Sequence, residues 1–381
     1  MIRAFAGALL AAATAAHAQH TLTLLDLPGI VRGPQRLDDT GRIVGVVDID
    51  GIDHPYVREP DGSITILPTP AGFLHAAATA TTPDGAVLGH ASPDEPWLEG
   101  VGVVWRAGAI DRVLPRPLAD AGLDAPLIIS DGAVLGSTSR GGGAIVRWTP
   151  EGTELLGADL HAAALSAANA RGEAAGSASP ARGSPRHALY ADPDGRITLG
   201  PYPHGSEYEQ VTAITERGII VVHGLVLHGD FRVYSYLWNP ATGRVDADGF
   251  ENAILHDLNE RELGIGWWPL RGIGDHCLWS RRTGPIPLEQ LLPAGSTDDF
   301  LVASVAGINN RGEVLLYMNR RGQLGEILQI PALLTLCPAD FNLDATADTS
   351  DLLDFLAAFR EANPYANLHE PATTDVDVHD L

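Results

Sequence analysis

The chain has 381 residues, with 48 acidic and 25 basic side chains and a formal charge of −23. Every basic residue is Arg, which excludes chemistry that depends on lysine: P-loop phosphate binding, pyridoxal Schiff bases and kinase-type phosphoryl transfer. The acidic balance argues against nucleic acid as a partner, because that binding rests on basic stripes displacing counterions.

At the N-terminus, Arg3 precedes a small, apolar run from Ala4 to Ala16, and Ala16-His17-Ala18 fits a small-x-small cleavage site. The run is too short for a membrane span, which needs roughly 20 residues. Residues 1–18 therefore read as a signal peptide and Gln19 as the mature N-terminus. No later stretch is apolar enough to span a bilayer. The expected location is secreted or cell surface, with no transmembrane segment in the mature chain.

Residues 19–331 repeat one unit. A turn of the form polar-x-x-Gly precedes a short β-branched run at Asp38-Asp39-Thr40-Gly41, Thr82-Pro83-Asp84-Gly85, Asn169-Ala170-Arg171-Gly172, Thr215-Glu216-Arg217-Gly218 and Asn309-Asn310-Arg311-Gly312. A shortened copy is Ser130-Asp131-Gly132, and Asn259-Glu260-Arg261-Glu262 has lost its Gly. The turn ends are 44, 47, 40, 46, 44 and 50 residues apart. The first side chain can cap the turn, and Gly suits a position with φ > 0. A second landmark is a strand ending in an aromatic: Trp105, Trp148, Tyr190, Trp238 or Trp279. Four short strands in about 45 residues match one propeller blade. The seventh unit shows only three strands, whereas Thr21-Leu22-Thr23-Leu24 is unpaired near the N-terminus. Placing it in the last blade removes an exposed edge. The expected fold is all-β, a seven-bladed β-propeller closed by its N-terminal strand, with an open solenoid or a six-bladed ring as alternatives.

Gly307-Ile308-Asn309-Asn310-Arg311-Gly312 and His187-Ala188-Leu189-Tyr190 resemble the motifs of the bacterial HAF-repeat family. The resemblance covers roughly residues 20–331 and implies an extracellular repeat protein; it implies no reaction.

After a linker at 332–337, the tail at 338–381 concentrates charge: from Asp340 onward it holds ten acids and one base. Asp340, Asn342, Asp344, Asp348 and Asp351 fall at positions 1, 3, 5, 9 and 12 of a twelve-residue loop. Thr346 stands at position 7, where a backbone carbonyl serves. Such hard oxygen donors suit Ca²⁺. An apolar stripe at Leu352, Phe355, Leu356 and Phe359 predicts a helix after the loop. A calcium loop feeding one helix resembles half of a dockerin, and Cys337-Pro338-Ala339-Asp340-Phe341-Asn342 resembles the C-terminal anchors of exported planctomycete-type proteins. The resemblance implies a cohesin-like or cell-surface protein partner, with Thr349 and Ser350 at the partner-choosing positions 10 and 11. Ala345 departs from the usual Gly at position 6. A second half begins near Asn367 with irregular spacing and is incomplete.

No catalytic group stands out. His54, His187 and His276 recur in register and serve the repeat. His223 and His228 lack a third ligand at zinc spacing, and there is no Gly-x-Ser-x-Gly elbow. Cys277 and Cys337 either pair in an oxidising compartment or remain a core thiol and a linker thiol. The sequence thus favours a non-catalytic exported propeller that binds a protein or glycan, its binding surface including residues 283–301, with Ca²⁺ in the tail. The rival is an extracellular polysaccharide-degrading enzyme, hydrolase or lyase, whose site departs from the repeat, most visibly in the sixth unit with Asn259-Glu260-Arg261-Glu262 and Gly264-Ile265-Gly266-Trp267-Trp268.

Overall fold

A computed structural model describes residues 20–93, 100–115, 123–130, 133–138, 143–201, 208–226, 232–247, 250, 253–268, 275–320, 329–338, 340, 343 and 349–360. The expected signal peptide and the second half of the tail lie outside them. Among the described residues no helix is long and apolar enough to cross a membrane.

The described strands form seven four-stranded sheets, each a blade of an all-β, seven-bladed β-propeller. Blades 1 to 6 each take four consecutive strands; blade 1, for example, runs Ile30–Leu37, Ile43–Ile49, Ile52–Arg58 and Ile64–Ile66. Blade 7 takes Phe300–Ile308, Glu313–Arg320 and Ile330–Thr335, and its fourth strand is the N-terminal Thr21–Leu24. Thr21 pairs with Thr335 and Leu24 with Ala332, antiparallel, as expected of the closing strand.

The chain forms two compact units, Asp26–Asp257 and Met1–Leu25 with Leu258–Leu381. In the first, apolar cores lie between successive sheets. Val44, Val57 and Leu67 of blade 1 pack with Ala76, Val87, Val103 and Trp105 of blade 2, and Leu88 and Val104 pack with Val134, Val146 and Trp148 of blade 3. A second strand such as Val87–Ser92 or Ala174–Ser179 is buried on both faces, which is why it shows no alternation of apolar and charged residues. The indole N–H of Trp105 donates to the carbonyl of Pro68 at 2.8 Å, and that of Trp148 to Pro115 at 2.9 Å. Each aromatic thereby locks onto the end of the preceding blade, satisfying the one polar atom it buries.

The recurring glycines have two causes. Gly in the polar-x-x-Gly turn has positive φ, for example 88° at Gly41 and 77° at Gly312, and Glu262, which replaces it in blade 6, still adopts 59°. The Gly that follows in the second strand answers a close approach. A Cβ on Gly89 would lie 1.9 Å from the carbonyl oxygen of Ala77, where the first strand shifts register between Ala78 and Ala80.

In the second unit, one core joins Leu263, Ile265 and Leu278 of blade 6 with Val302, Val314, Leu316 and Leu334 of blade 7 and with Leu343 from the tail. Two expectations need correcting here. Residues 332–335 are strand rather than linker, because they pair on both sides with Glu313–Arg320 and Thr21–Leu24. Residues 283–301 are no open binding loop: they form the strand Gly284–Pro287 and two one-turn helices, α1 (Leu288–Leu291) and α2 (Ser296–Asp299), with Leu288, Leu291 and Leu292 buried in the same core.

Candidate functional site

Helix α3 spans Thr349–Arg360, opening with Thr349 and the exposed Ser350. Asp351 lies in its first turn, where the helix dipole favours a carboxylate. Of the six expected ligands, Asp340 and Asp351 are described, while Asn342, Asp344, Thr346 and Asp348 lie outside the described residues. Both loop-end acids are buried, Asp340 to 2% and Asp351 to 3% residual exposure. Leu343, at loop position 4, is buried with φ of 61°. Arg282, in the turn after Asp275–Ser280, forms an ion pair with Asp354 of α3. The start of the tail is therefore packed against blades 6 and 7, while Leu353 and Leu356 of α3 are exposed.

The sequence reading missed one partner of this loop. His20 has a side chain with 2% exposure, and its Nε2 lies 3.2 Å from Oδ2 of Asp340, whose side chain is fully buried. Its Nδ1 accepts the Cys337 backbone N–H at 2.9 Å. Asp340 N–H in turn donates to the Cys337 carbonyl at 3.1 Å. The only signal available in the sequence was the register of strand closure: once Thr21 pairs with Thr335, residue 20 must meet the segment leaving Thr335.

In the blades, the turn residues spend their polar atoms on neighbouring blades. Asn169 Oδ1 accepts the N–H groups of Arg171 and Glu173, and its Nδ2 donates to the carbonyl of Thr215 in the next turn, 2.9 Å away. Asn259 repeats the pattern with Arg261, Leu263 and the carbonyl of Asn309. In blade 1 the neighbour offers a hydroxyl, Thr81 Oγ1, and the turn residue is an acid, Asp38, whose Oδ2 accepts it at 2.8 Å. Burial, helped by the hydrogen bond that Tyr190 donates to Glu173 at 2.8 Å, drives its phenol pKa up.

Burial displaces several titratable groups from their ordinary values. It pushes His90 down to about 4, His223 down to about 4 with help from nearby His256, and the Cys277 thiol up to about 12. His276 Nε2 sits 3.0 Å from the carbonyl of Ala303, and Cys277 and Cys337 are both free. His228 lies outside the described residues. In blade 6, Glu262 is engaged by Arg281 at 2.8 Å, the Glu260 backbone N–H donates to Asn310 Oδ1, and Trp268 is buried. Among the described residues, no three His, Cys, Asp or Glu converge as a metal site.

No protein-family model and no curated protein matches the chain. Solved structures do. A catalytically inactive virginiamycin B lyase from Staphylococcus aureus in complex with quinupristin is similar over 84% of this chain and 100% of its own, at 13% identity and a TM-score of 0.50. TolB from Acinetobacter baumannii is similar over 80% of this chain and 65% of its own, at 11% identity and a TM-score of 0.43. A polysaccharide lyase covers 81% of this chain and 90% of its own, at 10% identity and a TM-score of 0.45. The first of these likenesses supports the fold and nothing beyond it.

Proposed function

We propose that this chain is an exported, non-catalytic propeller that binds a protein or glycan, displayed or anchored through a Ca²⁺-binding, dockerin-like C-terminal loop that engages a cohesin-like or cell-surface protein. The observation that carries the reading is the burial of Asp340 and Asp351, the two ends of the oxygen-rich loop. A buried carboxylate is costly unless a cation or hydrogen bonds compensate it. In a chain of net charge −23, acids at the first and twelfth positions of a calcium-type spacing suit a divalent cation. The donor set fits the ion, being carboxylate, amide and carbonyl oxygen throughout. Asp340, Asn342, Asp344, Asp348, Asp351 and the Thr346 carbonyl would hold the metal. Bound there, Ca²⁺ would tie the start of α3 to the end of the propeller, with Thr349 and Ser350 at the expected partner-choosing positions.

The non-catalytic reading is supported by where the polar atoms of the blades are spent. Asp38, Asn169, Glu173, Asn259 and Asn309 bind their own turns or a neighbouring blade. Two measurements on the full chain test the proposal. Calorimetry should give calcium binding, and no heat at millimolar ion refutes the loop assignment. A glycan array run beside a reducing-end release assay should show retention without cleavage; release of new chain ends would favour the polysaccharide-degrading alternative.

A further inference from the structure

We infer that the loop of residues 180–186, together with Tyr208, is a subsite for the anionic group of an acidic glycan, a uronate carboxylate or a sulfate ester. The inference rests on the protein-or-glycan reading above and names the ligand class. Its first basis is charge. Between Glu173 and Asp192 the chain has no acid, yet it carries Arg182 and Arg186, in a protein with 48 acidic side chains. Both lie in the loop that joins the strands Ala174–Ser179 and His187–Ala191, at the opposite end of those strands from the polar-x-x-Gly turn. At the turn end, arginines are answered by acids: Arg171 by Glu173 at 2.6 Å and Arg106 by Asp84 at 2.8 Å. Arg182 and Arg186 have no acidic partner among the described residues.

The second basis is geometry. The guanidinium carbon of Arg186 lies 5.5 Å from the centroid of the Tyr208 ring, and its Nη1 donates to the Tyr208 hydroxyl at 3.4 Å. The Arg186 carbonyl accepts the Glu209 N–H at 3.0 Å, which seats the end of the loop on the strand Tyr208–Ile214 of blade 5. Stacking and seating together hold the cation in place. Its Nε is buried without an acceptor, so the guanidinium has surrendered hydration and no carboxylate replaces it. Glu209 does not pair with it, being fully buried with Oε2 accepting the Ala188 N–H at 3.1 Å. An arriving carboxylate or sulfate answers that deficit with charge-assisted hydrogen bonds. Arg182, exposed in a turn closed by the Ser184 N–H and the Ala181 carbonyl at 3.0 Å, adds a second positive charge on the same loop. A glycan suits this surface better than a protein does. Among the described residues from Gly157 to Val226 no large hydrophobic side chain is exposed, so the apolar centre of a protein interface is missing. The hydroxyls of Ser184 and Tyr208 instead match the hydroxyls of a sugar.

Calorimetry on the full chain tests this with uronate and sulfated oligosaccharides, each beside its neutral counterpart, carboxyl-reduced or desulfated. The parent should prefer an acidic member over its neutral counterpart by about tenfold or more, and the preference should shrink as salt is raised. The uronate and sulfate arms tell which anion is read. Arg186→Gln should abolish the preference. Arg182→Gln, in an exposed turn where folding is not at stake, should reduce it several-fold. If the parent binds acidic and neutral members alike, or if both variants keep the full preference, the inference falls and the binding reading stands. If no glycan of either kind binds, the inference falls together with the glycan half of that reading. Retention of a glutamate-rich peptide in place of any glycan, lost in Arg186→Gln, would likewise overturn the assignment and favour a protein ligand.

Discussion

Replacing Asn259 isolates the contact that joins one blade's turn to the next. Its Oδ1 caps two backbone N–H groups, those of Arg261 and Leu263, both at 3.0 Å, and its Nδ2 donates to the Asn309 carbonyl at 3.0 Å. Asn259 is buried, so water does not replace a lost partner. At about 1 kcal/mol per net hydrogen bond, Asn259→Ala should cost about 3 kcal/mol, and more if the stranded groups stay dry. Asn259→Asp is the sharper test. It retains both capping acceptors and removes only the donor, setting a carboxylate oxygen against the Asn309 carbonyl. The lost bond and the repulsion together should cost about 2 kcal/mol. Asp38 shows why the cost belongs to the neighbour: an acid is suited there because Thr81 supplies a hydroxyl donor. Equilibrium urea unfolding followed by tryptophan fluorescence would measure both variants, with the shift in midpoint at constant slope giving the change. An Asn259→Asp protein within about 0.5 kcal/mol of the parent would refute the idea that the amide is chosen for its donor.

Gly89→Ala should destabilise by about 3 kcal/mol, because the added Cβ meets the Ala77 carbonyl and the Trp105 ring rather than a movable side-chain tip; near-parental unfolding would show that the first-strand bulge can shift at little cost. Acid should weaken the fold through His90 and His223. Both are held near 4 in the folded chain against an ordinary 6.5, so the unfolded chain takes up protons first, and stability present above about pH 6.5 is lost as pH falls toward 4. Each group contributes on the order of 3 kcal/mol across that window, and His90→Gln should flatten the pH dependence of urea midpoints; equal slopes in parent and variant would count against it.

Much of the architecture was legible because repeats force the same physics on each copy. The polar-x-x-Gly turns, the aromatic near the end of the third strand in blades 2 to 6 and the unpaired segment at residues 21–24 are local patterns, and a ring with three strands in its last blade has one economical way to remove its open edge. The end of the last strand was misplaced because Ala332 to Thr335 carry no turn residue to mark a boundary. Residues 283–301 were misread because Leu288 and Leu291 are apolar too briefly to declare a helix, yet are buried by the blades they fill.

Sequence by itself determined the repeat, the closing strand and the acid spacing of the tail, since each is written in neighbouring residues. Only the tertiary structure decided what those polar groups touch. Whether a turn residue should be Asn or Asp depends on the donor or acceptor that the next blade presents, about 45 residues away. That His20 faces Asp340 depends on strand register, which brings together opposite ends of the chain. Spacing along a chain reports local geometry; a hydrogen-bond partner is chosen by whatever folding places within about 3 Å.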